Sequence, residues 1–248
     1  MNHEQKQNHA TTTNALPAIS ELSAMSGNSD DAIFGSTQEQ NNPFAKYLAY
    51  GPVANREFKS SLFSFLFSYN KENALSLYNA VNDSHYTNAE DLEFHNLDDA
   101  LFVGMRNDVS FIFGKSLNLY EHQSTYNPNM PLRGLFYTTD LYKRLIDKKR
   151  LYHSKLIKLP TPKYVVFYNG KDRKSLPDIS TLYLSDAFYF KEDGYEWKAT
   201  VFNLGEGCNE KIKAACKVLN DYCYFIETVR SLSCEMSLEN AIIKAIND

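Results

Sequence analysis

Asp108, Glu121 and Gln123 are the residues of this 248-residue chain whose types and spacing suit chemistry. Two carboxylates and an amide offer hard oxygen donors, the kind that a divalent cation such as Mg²⁺ takes. Glu121 and Gln123 lie in an alternating run, residues 117–124. Leu117, Leu119, Glu121 and Gln123 fall on one side of it; Asn118, Tyr120, His122 and Ser124 fall on the other. An acid and an amide thus share the apolar side, where an unpaired carboxylate is costly. Asp108 opens the preceding run, Val109-Ser110-Phe111-Ile112-Phe113, and Gly114-Lys115-Ser116 separates the two. That pattern is a hairpin signature. An antiparallel hairpin turning at residues 114–116 puts Asp108 roughly opposite the end that carries Glu121 and Gln123. The same residues, taken alone, also read as an ion-paired hairpin end.

Several elements must hold that hairpin. A helix is expected from near Asn55, with Phe58, Leu62, Phe65 and Leu66 as its buried stripe, and a second from Lys71 to Val81, ended by Asn82-Asp83-Ser84. Residues 88–91 read as a loop, 92–96 as a strand and 100–105 as a weaker one. After the hairpin, Pro131 favours a helix start, because its missing N–H is unneeded in a first turn. Leu132, Leu135, Phe136, Leu141 and Leu145 are expected inward on this helix. Arg133, Tyr137, Lys143 and Arg144 are expected outward or toward the site. Tyr164-Val165-Val166-Phe167-Tyr168 suits a central strand covered on both faces. Residues 181–184 and 197–204 predict further strands. Residues 210–232 predict one long helix, and Ser237 caps a last one.

Composition supports a core, with 43% hydrophobic and 14% aromatic residues. Residues 1–45 are rich in Asn, Gln, Ser and Thr and read as a disordered leader, which leaves 46–248 as one domain. The net charge of −4 gives no overall basic excess for tight nonspecific DNA binding, although a local patch is compatible with it. Lys148-Lys149-Arg150 is one basic run, either a solvated helix end or a phosphate contact. No apolar run approaches the ~18 residues of a membrane helix, and the N-terminus has no signal-peptide core. Cys208, Cys216, Cys223 and Cys234 are irregularly spaced, which argues against zinc and for reduced thiols. A cytoplasmic protein that does not enter the membrane is expected.

Three stretches carry a family resemblance: Asn107-Asp108-Val109-Ser110-Phe111, then residues 118–134 with Tyr120-Glu121-His122-Gln123 and Pro131-Leu132-Arg133-Gly134, then residues 156–170 with Tyr164-Val165-Val166-Phe167-Tyr168. They resemble the PD-(D/E)XK nuclease superfamily, in particular its recombination-promoting nuclease and putative transposase branch. The likeness spans about residues 52–247. It implies an α/β fold with a restriction-endonuclease-like core, a central mixed sheet flanked by helices. It also implies Mg²⁺-dependent DNA endonuclease activity, with Mn²⁺ as an alternative ion and DNA as the partner. Asp108 and Glu121 match the family's metal-binding acids, and Gln123 stands where many members carry lysine. In that scheme Asp108, Glu121 and Gln123 are the catalytic set, and Arg133 is a candidate substrate contact that supplies positive charge. Nucleases of this fold often cut as dimers, so a homodimer is one expected state. The sequence departs from the branch at Asn107, where proline is usual, and at Asn55, where the first helix usually starts with an acid. Those departures, the acidic balance and the end at Asp248, short of where the branch usually runs, support a second expectation. In it the chain keeps the nuclease scaffold as a binding module for protein or DNA, with weakened turnover.

Overall fold

Hydrophobic periodicity decides most of the elements. The computed structural model describes residues 58–95, 108–171, 175–190, 192 and 194–247. The leader, Asn55, Asn96, Asn107 and the expected strand at 100–105 lie outside them.

Helix α1 (Phe58–Ser68) buries Phe58, Leu62, Phe63, Leu66 and Phe67. The stripe is wider than expected and passes through Phe63 and Phe67, with Phe65 only partly buried. The cause is that α1 is wedged between two partners. The Phe63 ring lies 5.3 Å from Phe167 of the sheet and 5.7 Å from Tyr222 of a later helix. Helix α2 (Lys71–Asn82) is closed at both ends. Asn70 Oδ1 accepts the Asn73 N–H at 2.8 Å, and Asp83 turns left-handed at φ 51° and donates its N–H to the Asn79 carbonyl. The expected loop before the first strand contains a short 3-10 turn, Ala89–Asp91, and strand β1 is brief (Leu92–Phe94).

Strands β2 (Val109–Phe113) and β3 (Ser116–Gln123) pair antiparallel, Val109 opposite Tyr120 and Phe113 opposite Ser116. Ser116 is therefore already in the strand, and the turn is the two residues Gly114-Lys115. Gly114 supplies the positive φ of 60° that such a tight turn requires. Helix α3 (Met130–Leu145) carries the chain back to β4 (Thr161–Tyr168), which runs parallel to β3 from Ser116–Thr161 to Gln123–Tyr168. Strands β5 (Ile179–Tyr183) and β6 (Lys198–Asn203) complete a six-stranded mixed sheet in the order β1-β2-β3-β4-β6-β5. As its near-continuous apolar run requires, β4 is central and covered on both faces. Val165 and Phe167 point into one core layer; Tyr164, Val166 and Tyr168 point into the other.

Helix α3 covers the second layer, and its buried face differs from the expected one. Met130, Gly134, Tyr137, Thr138 and Leu141 face in, while Leu132 and Phe136 are exposed. Gly134 sets this face. A Cβ there would lie 2.3 Å from the Tyr164 ring, so the helix backbone rests directly on that tyrosine. Lys148-Lys149-Arg150 does not end α3. It lies in a separate 3-10 helix, Lys148–Tyr152, whose cap is Asp147 Oδ1 accepting the Lys149 N–H at 3.0 Å.

The first layer is completed by α4 (Glu210–Ala215), α5 (Lys217–Leu232) and α6 (Leu238–Asn247). The single helix expected over 210–232 is broken at Cys216, which is extended at φ −125°, ψ 95°. The break redirects the chain: α4 packs on α2, and α5 packs on α1. Ser237 Oγ accepts the Asn240 N–H at the start of α6, as its sequence predicts. Among the described residues no helix is long and apolar enough to cross a membrane. All four cysteines are free thiols.

Candidate active site at the end of the hairpin

The alternation of β3 divides its side chains between the two layers. Leu117 and Leu119 enter the layer under α3, and Tyr120 enters the opposite one. Glu121 follows Leu119 on the α3 side. Its side chain is only 3% exposed, and its Oε1 pairs with Arg133 Nη2. Gln123 Nε2 donates to the same oxygen at 3.2 Å. Arg133 is therefore an ion-pair partner of Glu121 itself.

Asp108 lies one residue before β2, which by the register places it opposite Glu121. The two residues are laced together through the backbone. Asp108 Oδ2 accepts the His122 N–H at 2.6 Å, and the Asp108 backbone N–H favours the charged form of the Glu121 carboxyl. The Asp108 carbonyl is held from α1 by the hydroxyls of Ser64 at 2.6 Å and Ser68 at 2.7 Å. Helix α1 thereby fixes where β2 begins.

Four expected residues thus meet: Asp108, Glu121, Gln123 and Arg133. Their electrostatics are uneven. Burial pushes the Asp108 carboxyl up to about 7, against the pull of the His122 N–H and Arg133. Burial, and then the charge of Asp108, push Glu121 well above the usual carboxylate range, with Arg133 only partly opposing them. One guanidinium serves two acids, and it is shared further. Arg133 Nη2 and Nε both donate to the Tyr137 hydroxyl, at 2.9 and 3.3 Å. Glu121 Oε2 is buried without a partner, and so is the hydroxyl of Tyr164, which feels the charge of Glu121.

These features fit a small hard cation. An acid pair short of positive charge, with one carboxylate oxygen unanswered, has the donor chemistry that such an ion takes. The donor set is small, however. Among the described residues no three His, Cys, Asp or Glu side chains form a metal-binding group. Asp108, Glu121 and the Gln123 amide would leave most of the coordination sphere to water, which is how Mg²⁺ is commonly held.

His122 faces away from this cluster, as the alternation requires. Its ring lies between Phe63, at 5.9 Å, and Tyr222, at 5.6 Å. Burial drives its pKa down to about 3, so the ring is neutral and contributes packing. Its backbone N–H contributes to the site. Tyr164, Ser64 and Ser68 are parts of the site that the sequence did not single out, and Tyr137, expected outward or toward the site, turns toward it. Two signals were present: Tyr137 stands one helical turn after Arg133, and Ser64 and Ser68 interrupt an apolar helix at i, i+4. No protein-family model matches the chain, and no curated protein matches it.

Proposed function

We propose that the chain is a Mg²⁺-dependent DNA endonuclease of the restriction-endonuclease-like fold, with Mn²⁺ as an alternative ion. The observation that carries this reading is the buried, under-neutralised acid pair Asp108 and Glu121, with Glu121 Oε2 left without a partner. The parallel β3–β4 pair and the hairpin before it support it by bringing both acids to one end of a mixed sheet. Asp108 and Glu121 would hold the cation. When bound, it would lower the pKa of a water and offset charge on the phosphoryl group.

The protein residues have separable tasks in this reading. Gln123 holds Glu121 in place through its amide N–H and presents a polar group at the mouth of the site. Arg133, about a third exposed, offers a guanidinium to a phosphate oxygen while it balances Glu121. Tyr137 fixes the plane of that guanidinium through two hydrogen bonds.

The test is incubation of the purified protein with Mg²⁺ and supercoiled duplex DNA. Nicking or linearisation is expected, with loss of cutting but retention of fold in Asp108→Ala. Equal cutting by that variant would remove the proposal. One observation favours a second reading, a nuclease scaffold that binds without turnover: Arg133 already occupies Glu121 Oε1, and position 123 carries an uncharged glutamine. Failure to bind Mg²⁺ or Mn²⁺ at millimolar concentration would favour it.

A further inference from the structure

Where β3 and β4 end together, a second cavity opens on the other side of the sheet, under the C-terminal half of α5. Its volume is about 580 Å³, in the range of a small-ligand site. Lys59 of α1, Lys171 just after β4 and Arg230 of α5 line it, with the exposed hydroxyl residues Ser124 and Thr125. No carboxylate lines it among the described residues. That is a local exception in a chain of net charge −4.

Its floor contains an unanswered donor. Asn169 is completely buried, and Arg230 Nη2 bonds both its carbonyl, at 2.8 Å, and its Oδ1, at 3.0 Å. Those two bonds fix which end of the amide faces the arginine. The Nδ2 at the other end has no partner. Lys59, Lys171, two hydroxyl residues and a spare amide N–H thus line one cavity beside Arg230, whose Nη1 is paired with Glu227 Oε1 outside the lining, and such a set of donors suits an oxyanion.

The cavity adjoins the acid pair. Ser124 directly follows Gln123, and the Asn169 N–H donates to the Gln123 carbonyl at 2.9 Å. The charges of Lys59 and Arg230 are felt at His122, whose own N–H holds Asp108.

We infer that this cavity is a phosphodiester-binding subsite, which takes a DNA phosphate next to the one placed at Asp108 and Glu121. The inference rests on the endonuclease reading. Lys59 and Lys171 supply the charge, and Arg230, braced by Asn169, forms the wall.

The experiment is metal-free, so that it reads binding apart from cleavage. A short fluorescent duplex DNA is titrated by anisotropy over a series of salt concentrations. Each lost phosphate contact lowers the slope of log K against log salt by about 0.9. Lys59→Gln/Lys171→Gln is expected to lower it by about 2, and Lys171→Gln alone by about 1. The control Lys148→Gln/Lys149→Gln removes equal charge from the 3-10 helix before β4, outside the cavity lining, and is expected to leave the slope unchanged. An equal fall in the control, or no fall in either cavity variant, overturns the subsite. Competition by inorganic phosphate without any DNA binding also overturns it, in favour of a small phosphorylated ligand. Cutting by the parent with an unchanged slope in the cavity variants would sink the subsite and leave the endonuclease standing.

Discussion

Replacing Asp108 by asparagine keeps the shape of the side chain and an oxygen to accept the His122 N–H, but it removes one of two acids that share a single guanidinium. In the folded protein Asp108 sits at about 7, against 3.8 for an ordinary aspartate. Because the folded value is the higher one, its favourable contribution is fully present below 3.8 and is lost as pH rises through about 7. Between those two pH values the folded state holds a proton that the unfolded chain has released, so stability falls by about 1.4 kcal/mol per pH unit. The whole interval amounts to roughly 4 kcal/mol, of which roughly 2–3 kcal/mol falls between pH 5 and pH 7.5. Asp108→Asn has no such proton to lose. Urea unfolding of both proteins across that range, without divalent ions, is expected to show the variant gaining on the parent as pH rises. A constant difference between the two curves, or a variant that loses ground toward pH 7.5, would refute the account of the acid pair.

Mg²⁺ is expected to reverse part of that cost: at a concentration one hundred times its Kd it would stabilise the parent by about 2.7 kcal/mol, seen as a raised melting temperature at pH 7.5 and absent in Asp108→Asn. Arg133→Met strands Glu121, whose side chain is 3% exposed, and should cost about 3 kcal/mol near neutral pH; urea unfolding should show part of the loss recovered in acid, where Glu121 is protonated. Gly134→Ala would set a methyl 2.3 Å from the Tyr164 ring and is expected to destabilise by about 1–3 kcal/mol despite the better helix propensity of alanine, read by thermal melting. Asn70→Ala removes the cap of α2 and should cost about 1 kcal/mol in the same assay.

The parts of the structure that were legible in the sequence are those in which one residue type answers one local demand. Gly114 marks the hairpin turn, Pro131 the start of α3, Ser237 the cap of α6 and the run 164–168 a strand without a wet face. The alternation of β3 by itself separates Glu121 from His122. What was not legible depends on partners distant in sequence. Leucine spacing points to one inward face of α3, but the face is selected by Gly134 fitting against Tyr164, thirty residues later. The break at Cys216 carries no glycine or proline, and the apolar spacing runs straight through it. In the site, the acids and amide stood out by type on an apolar strand. The unanswered Glu121 Oε2 and the shared guanidinium are properties of burial and geometry that no single position announces.

The contact between Gly134 and Tyr164 has a bearing on inheritance of the site. Arg133, beside the glycine on α3, owes its reach to an aromatic plate carried by β4. Substitutions at 134 or 164 would therefore detune the acid pair without touching it, and the two positions should drift only in concert, small against flat.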